Sequence, residues 1–380
     1  NANPNYFNKS LARNQSDNSN FGFSVGGPVL RSRTFFFGTF ERLDINRTQS
    51  PSATVPPEAF RQGDFSSLTT PIVDPSTGAA FAGNRIPSAR INSVAATLLQ
   101  TYIPAPNEGT SIHRYAIDGS EVSNQFDIRL DQNFSQGHTL FGRFSWKKVE
   151  TLAPTTYQSL GPRTDDRPNH TLVISDNYAI RPNLLNEARF GITSADQSFT
   201  TGERGLDIIS TLGLTLLSTN PPDVTGTPSV QIAGYTNFGE SQEEPLTQDN
   251  WQITDSVTWL KGRHTMKAGF DMKWFNWTSP VNFTGADDFG VFRFNNNIQA
   301  GGAGHPFANF LLGIPTDVDQ TASGPNVDGV ATHYGFFAQD EWRLNTRMTL
   351  SLGLRYELRP PFEQDVFHLS GDVEFNITLG

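Results

Sequence analysis

The sequence predicts an all-β protein, an antiparallel, up-and-down transmembrane β-barrel of which the chain carries about ten strands. Three observations support this fold class. Apolar and polar residues alternate in five pairs of segments, the turns within pairs are short, and the links between pairs are long and polar. The alternating segments are also too long for a soluble β-sandwich. The predicted barrel is incomplete, because ten strands are too few to close a large one.

The five predicted hairpins follow one another along the whole chain. They pair 20–28 with 33–43, 124–132 with 138–148, 170–180 with 187–197, 248–259 with 264–275, and 332–343 with 348–359. Turns of four to six residues join the segments within a pair. The long links are 44–123, 149–169, 198–247 and 276–331, and we expect them to be extracellular loops, partly helical. Tight turns on one side and long loops on the other are typical of outer-membrane barrels.

Segment 264–275 illustrates the alternation. Met266, Phe270 and Trp274 fall on one face, whereas Lys267 and Asp271 fall on the other. A period of two residues gives a strand one apolar and one polar face. The predicted strands run about 9–12 residues, the length that a tilted membrane strand needs, whereas strands of globular proteins average about 5–6. The same alternation would occur in a soluble sheet. The membrane barrel is favoured because the strands are long and because charged residues occur in the middle of the strands.

Two sets of side chains are the candidate functional residues. The first set consists of cations on the polar face, predicted to face the lumen, where they would line a path or only form ion pairs in a wet interior: Arg129, Arg143, Lys267, Lys273 and Arg355. The second set consists of aromatic residues near strand ends, predicted to form interfacial girdles: Trp146, Trp251, Trp259, Trp274, Trp342 and Tyr356. Three aspartates break the pattern on the apolar face, and we expect them near strand ends, where charge costs little: Asp176, Asp255 and Asp340.

Composition excludes several classes of protein. The chain has 380 residues, a net charge of −10 and no Cys, and only 36% of its residues are hydrophobic. Absence of Cys excludes disulfide frameworks and Cys-based metal sites. The acidic balance argues against nucleic-acid binding, which requires a basic surface. A large soluble core would need more apolar residues than a barrel, in which only alternate strand positions face lipid.

The long loops contain three candidate helices. Ser88 is predicted to cap the first helix, whose apolar residues recur at helical spacing from Ile91 to Tyr102 before Pro104 ends it. The other candidates are 203–213 and 306–313. We expect these helices to pack on other loops outside the membrane.

No pattern in the sequence predicts catalysis, a cofactor or a resident metal. Residues 22–26 match the G-x-S-x-G string of hydrolases, but a strand rather than a helix is predicted to follow. Asp317 and Asp319, or Asp287 and Asp288, offer oxygen ligands that calcium prefers. Because the rest of a calcium-binding loop is missing, solvated loop carboxylates are the favoured interpretation.

Several strings, spread over most of the chain, resemble the TonB-dependent outer-membrane receptors of the Oar-like subgroup. Residues 21–41 look like the segment that opens the barrel, and 61–66, 72–78 and 84–107 look like the first long loop. FANFLLGIP at 307–315 and YGFFAQDEWRLNTRMTLSLGLRYE at 334–357 look like the later barrel. The last string, a hairpin with a Q-D-x-W strand, is the most specific of them.

The resemblance implies a barrel of about 22 strands in the bacterial outer membrane, an N-terminal plug domain and a coupling box that contacts TonB. Residues 1–380 are then expected to be part of the barrel, with 1–19 following the plug, and no position matches the coupling box. The implied function is active uptake of a large ligand, whether oligosaccharide, siderophore or peptide. A passive porin, an adhesion or secretion barrel, and a soluble β-rich binding protein or glycosidase remain alternatives.

Overall fold

Eleven antiparallel strands form the main sheet of the computed structural model. The structure describes residues 15–155, 157–200, 212–213, 227–239, 246–279, 290–296, 301–319, 327–361 and 371–379. Within these residues the two edges of the sheet are β1 (Gln15–Leu30) and β16 (Gly371–Leu379), so the barrel is not closed. The predicted fold class is confirmed, and β16 adds an eleventh strand to the ten expected.

Each of the five predicted hairpins is present, joined by a short turn. The first three are β1 with β2 (Thr34–Gln49), β5 (Ile117–Ser135) with β6 (His138–Ala153), and β7 (Arg163–Arg181) with β8 (Leu184–Thr200). The last two are β10 (Leu246–Lys261) with β11 (His264–Ser279), and β14 (Val327–Asn345) with β15 (Met348–Leu358). The strands lie in the order β1-β2-β5-β6-β7-β8-β10-β11-β14-β15-β16. We call the side of the sheet with the hairpin turns the short-turn end and the opposite side the loop end.

Most strands extend further into the loops than the alternating pattern indicates. β5 and β7 each have 19 residues and β10 has 16. Beyond the lipid zone neither face of a strand meets hydrocarbon, so the sequence there no longer alternates although the hydrogen-bonded ladder continues. The first residues of β7, Arg163 to Arg167, are an example, because four of the five are charged.

The apolar face of the sheet has no protein covering. Phe23 is 66% exposed, Leu130 54% and Phe336 50%, and many other large apolar side chains on this face are exposed as well. A soluble protein rarely exposes a continuous apolar surface of this extent. The face therefore requires lipid, which excludes the soluble sandwich.

The long loops fold together into one unit at the loop end, which we call the loop domain: residues 50–116, 154–155, 157–162, 227–239, 290–296 and 301–319. It contains two small sheets and three helices. Its strands are β3 (Ser52–Thr54), β4 (Ile112–Arg114), β9 (Ser229–Ile232), β12 (Val291–Phe294) and β13 (Asp317–Asp319). Its helices are α1 (Glu58–Arg61), α2 (Ser93–Thr101) and α3 (Pro306–Leu312), and short 3₁₀ turns occur at 82–84, 88–90 and 158–160.

The predicted helices are partly confirmed. α3 matches the candidate at 306–313. The prediction that Ser88 caps the first helix is wrong: Asn92 is the N-cap, and its side chain accepts hydrogen bonds from the backbone N–H groups of Val94 and Ala95. Residues 88–90 form a 3₁₀ turn that ends before Asn92. Of the candidate at 203–213, residues 203–211 lie outside the described residues, and 212–213 form a turn.

Nearly all of the buried apolar side chains lie in the loop domain. Phe65, Ile72, Phe307 and Leu311 have no exposed surface, and they belong to one continuous cluster. Hydrogen bonds join the loops across this cluster, such as Thr54 N–H to Thr236 Oγ1 at 2.8 Å. Within the part of the chain that the structure describes, no helix is long and apolar enough to span a membrane.

Candidate functional site

The polar face of the sheet and the loop domain above it are the two places where functional groups gather. All five predicted cations lie on the polar face, and each has a carboxylate partner. Arg129 bonds Asp131 at 2.6 Å, and its guanidinium lies 3.9 Å from the centre of the Phe141 ring. Arg143 bonds Asp127 at 2.6 Å.

The other three cations form a second group on β11 and β15. Lys267 reaches Glu187 across β10 at 3.4 Å. Asp271 joins the remaining two, at 3.8 Å from Lys273 and 3.4 Å from Arg355. Arg355 also bonds Glu357 at 2.5 Å. The structure therefore brings Arg129 and Arg143 together on β5 and β6, and brings Lys273 and Arg355 together through Asp271.

A glycine makes the contact between Asp271 and Arg355 possible. These two residues lie on strands that both pair with β14, and Gly335 lies between them in register with Asp271 and Glu357. A Cβ atom on Gly335 would collide with Asp271 Oδ1. The missing side chain is what lets Asp271 and Arg355 meet above β14.

Because each of the five cations is paired with a carboxylate, the polar face is not predominantly cationic. Side chains such as Arg143, which is 53% exposed, remain in contact with solvent, so each pair contributes little to stability. Sequence reasoning found the cations but did not assign their partners. Some partners lie two residues away on the same strand, as Asp131 does for Arg129. Others depend on strand register: Arg143 pairs directly with Arg129, and Asp127 lies two positions from Arg129 along β5.

All six predicted girdle residues lie on the apolar face. Trp251 and Trp274 pair directly, and their rings make a T-shaped contact at 6.1 Å towards the loop end. Trp259 and Trp342 lie near the short turns, where Lys261 Nζ is 4.8 Å from the Trp259 ring and His264 stacks on Trp342. The remaining two girdle residues are Trp146 on β6 and Tyr356 on β15.

A half-buried histidine lies at the start of α3 in the loop domain. His305 is the N-cap of this helix, and its Nδ1 accepts the backbone N–H of Phe307 at 3.2 Å. Its ring lies 5.4 Å from the Phe60 ring and 5.3 Å from the Phe65 ring. Burial lowers the pKa of His305. Through these two ring contacts, the neutral imidazole packs α3 against the first long loop.

Two other sequence motifs have structural roles in the described residues. Arg293 bonds both Asp317 and Asp319, so these carboxylates are already neutralised by a cation. No group of three or more metal-ligating side chains occurs among the described residues, and Asp287 and Asp288 lie outside them. The G-x-S-x-G string lies inside β1 and pairs with β2, as expected of an ordinary strand.

The open sheet with one lipid-facing side defines a membrane β-barrel, and comparison with known proteins identifies the family. Residues 1–377 match the outer membrane beta barrel domain family, and the chain belongs to it. Its location is the bacterial outer membrane. The chain is 24% identical over 379 residues to the TonB-dependent transporter Oar of Myxococcus xanthus, covering 91% of the chain and 34% of that protein. The resemblance stated from the sequence is confirmed.

Among solved structures, the chain is similar to two outer-membrane proteins. The outer membrane transporter YddB from Escherichia coli is 9% identical with a TM-score of 0.47, over 96% of this chain and 36% of that one. A mutant of the ferric enterobactin receptor PfeA from Pseudomonas aeruginosa is 12% identical with a TM-score of 0.39, over 96% of this chain and 41% of that one.

Proposed function

We propose that the chain is the barrel portion of a TonB-dependent outer-membrane transporter that takes up a large ligand. The observation that carries the proposal is the folded loop domain above a polar, ion-paired face. In this arrangement the loop domain is extracellular and captures the ligand, and the five cations line the lumen: Arg129, Arg143, Lys267, Lys273 and Arg355. The six aromatic residues form girdles at the two membrane interfaces. We propose no catalytic role.

The partners in this proposal are a plug domain and TonB, neither of which these residues provide. The relative from Myxococcus xanthus is called a TonB-dependent transporter, and this supports energy coupling through TonB. The chain spans about a third of that relative, so the proposal assigns the plug and the coupling box to the remainder of a longer protein. The compensated ion pairs suit a lumen wall that docks a plug or passes an uncharged ligand, such as an oligosaccharide, better than one that attracts anions.

Conductance and TonB binding together test the proposal. Full-length protein in a planar bilayer should give no steady conductance, because a plug fills the lumen, whereas a passive porin would conduct at once. The purified periplasmic domain of TonB should bind the full-length protein, and deletion of the upstream coupling segment should abolish binding. Steady conductance together with no TonB binding would overturn the proposal.

A surface-adhesion or secretion barrel is the second candidate, because a folded loop domain could also bind another surface. Deletion of the gene separates the two functions. If the deletion strain no longer grows on the fragments of a degraded polymer or on a scarce iron source, but still attaches normally, the result supports uptake. Loss of attachment with unchanged growth supports the alternative.

A further inference from the structure

Arg189, an exposed arginine on the polar face of β8, has no partner. It pairs directly with Ser175 of β7 and Thr254 of β10, and Thr254 pairs in turn with Asp271 of β11, so all four lie on the same face. Within the part of the chain that the structure describes, the Arg189 guanidinium makes no hydrogen bond, ion pair or ring contact. It differs in this from the five predicted cations, each of which has a carboxylate partner.

Strand register explains why Arg189 is unpaired. Its two direct neighbours, Ser175 and Thr254, carry short uncharged side chains. The carboxylate of Glu187, two residues earlier on β8, contacts Lys267 at 3.4 Å instead. A guanidinium keeps its charge at any pH at which the protein is folded. Arg189 therefore requires water or an anionic partner that these strands do not supply.

Arg189 lines a cavity of about 220 Å³ on the polar face, between β7 and β14. Phe337 lines it as well, and its ring lies over Gly269, where a Cβ atom would be 2.8 Å from the ring. Three further lining side chains are uncharged and have no hydrogen-bond partner among the described residues: Asn177, Thr254 and Ser256. One free cation, several free polar groups and an aromatic ring therefore line the same cavity.

These groups define the chemistry of a ligand. A guanidinium binds a carboxylate through two parallel hydrogen bonds. Hydroxyl and amide side chains exchange hydrogen bonds with the hydroxyl groups of a sugar, and the C–H face of a sugar ring packs against the negative face of an aromatic ring. A cavity of this volume admits one monosaccharide unit.

We infer that this cavity is a subsite for one uronic acid unit of an otherwise uncharged oligosaccharide, and that Arg189 selects the carboxylate of that unit. The inference rests on the proposed uptake function, in which the ligand passes along this wall once the plug has moved. Because the five predicted cations are paired, the wall does not attract polyanions in general, and one free guanidinium favours a single carboxylate. The nearby carboxylates of Glu187 and Asp271 repel a phosphate dianion.

Uptake by cells that carry the full-length protein tests the inference. The radiolabelled probe is xylotriose with one glucuronic acid attached, and its matched control is the same compound with the carboxyl group reduced to an alcohol. The initial rate of protonophore-sensitive uptake is measured in the deletion strain complemented with wild type or R189Q. R189Q should lower the rate for the acidic probe about tenfold relative to the reduced probe, because a charge-assisted bidentate contact is lost. R189K keeps the charge but not the planar fork, so its rate should fall between the two.

K147Q is the matched control variant. Lys147 is an exposed cation on the polar face of β6, where it pairs with Gln125 and Asn169, and it has no ion pair in the described strands. It does not line the cavity. K147Q removes one positive charge from the same wall and should leave the ratio of the two uptake rates unchanged. A heat-modifiable gel shift confirms that each variant has folded.

Four outcomes would overturn the inference. The first is an unchanged ratio of uptake rates in R189Q. The second is that R189Q lowers the uptake of a peptide with one aspartate but not of the acidic saccharide, which would make this a peptide site. The third is steady conductance of R189Q in a planar bilayer with none in the wild type, which would show that Arg189 binds the plug.

The fourth outcome is that wild type takes up neither saccharide. The inference then fails, whereas the proposed function fails only if the full-length protein also conducts steadily and does not bind TonB. The two failures are therefore distinguishable.

Discussion

The main sheet and the loop domain are built on opposite principles although one chain forms both. In the sheet large apolar residues such as Phe23 and Leu130 face outwards, and the strands are held by their hydrogen-bonded ladder. In the loop domain residues such as Phe65 and Phe307 are fully buried. The sheet requires lipid to cover its apolar face, whereas the loop domain carries its own core and suits water. The difference predicts that the two regions respond to different perturbations.

Truncating one phenylalanine in each region should have very different effects. Phe307 is fully buried and packs against Phe310 and Tyr235, so F307A should destabilise the loop domain by about 3–5 kcal/mol. Limited proteolysis of the folded protein in detergent should show faster cleavage within the loops, with the heat-modifiable barrel band unchanged. Phe336, 50% exposed on the lipid face, is the control, and F336A should leave cleavage unaffected. Equal sensitivity of both variants would contradict the division into two regions.

Filling the gap above β14 should affect the sheet alone. In G335V the added side chain displaces the contact between Asp271 and Arg355, at a cost of about 1–3 kcal/mol. Urea titration of the barrel, followed by the gel shift, measures this cost. A Cβ atom on Gly142 would meet no other atom within 4 Å, so G142V is the control and should unfold like the wild type. A loss of stability in both variants would mean that a bulky side chain at either glycine is the cause, and not the lost contact between Asp271 and Arg355, since valine itself favours strands.

Mild acid should loosen the loop domain without affecting the sheet. The pKa of His305 is lowered in the folded state, so the unfolded state binds the proton more readily. The stability of the loop domain is therefore full above the ordinary histidine pKa and falls as the pH decreases towards the folded pKa. Hydrogen exchange of α3 between pH 8 and pH 5 should accelerate relative to β5. H305N keeps an N-cap acceptor and does not titrate, so its exchange should lose this pH dependence.

Removing an ion pair on the polar face should change the stability of the barrel less than any of the substitutions above. Arg143 and Asp127 are only partly buried, so their coupling in a double-mutant cycle of R143Q and D127N should be under about 1 kcal/mol. Urea titration of the four proteins measures the coupling. A value above about 2 kcal/mol would mean that this pair is a structural element of the barrel and not part of a wet wall.

The sequence predicted the sheet well because a strand's faces are encoded locally. A period of two assigns Trp251 and Lys267 to opposite faces without knowledge of any neighbour. The loop domain could not be predicted in the same way, since its contacts join distant residues, as between Thr54 and Thr236. The cross-strand ion pairs, such as Arg143 with Asp127 and Lys267 with Glu187, were also hidden, because they depend on register between strands and not on order along one strand.

Quenching of tryptophan fluorescence by brominated lipid tests the central claim most directly, that the apolar face of the sheet meets hydrocarbon and the polar face does not. Two single-tryptophan versions of the full-length protein suffice. Trp251 lies on the apolar face, and F337W places the other tryptophan on the opposite face at mid-strand, where Phe337 pairs with Gly269 and Arg355. Acyl-chain bromines should quench Trp251 strongly and the tryptophan of F337W hardly at all. Equal quenching of the two, or none at Trp251, would contradict a lipid-facing apolar side.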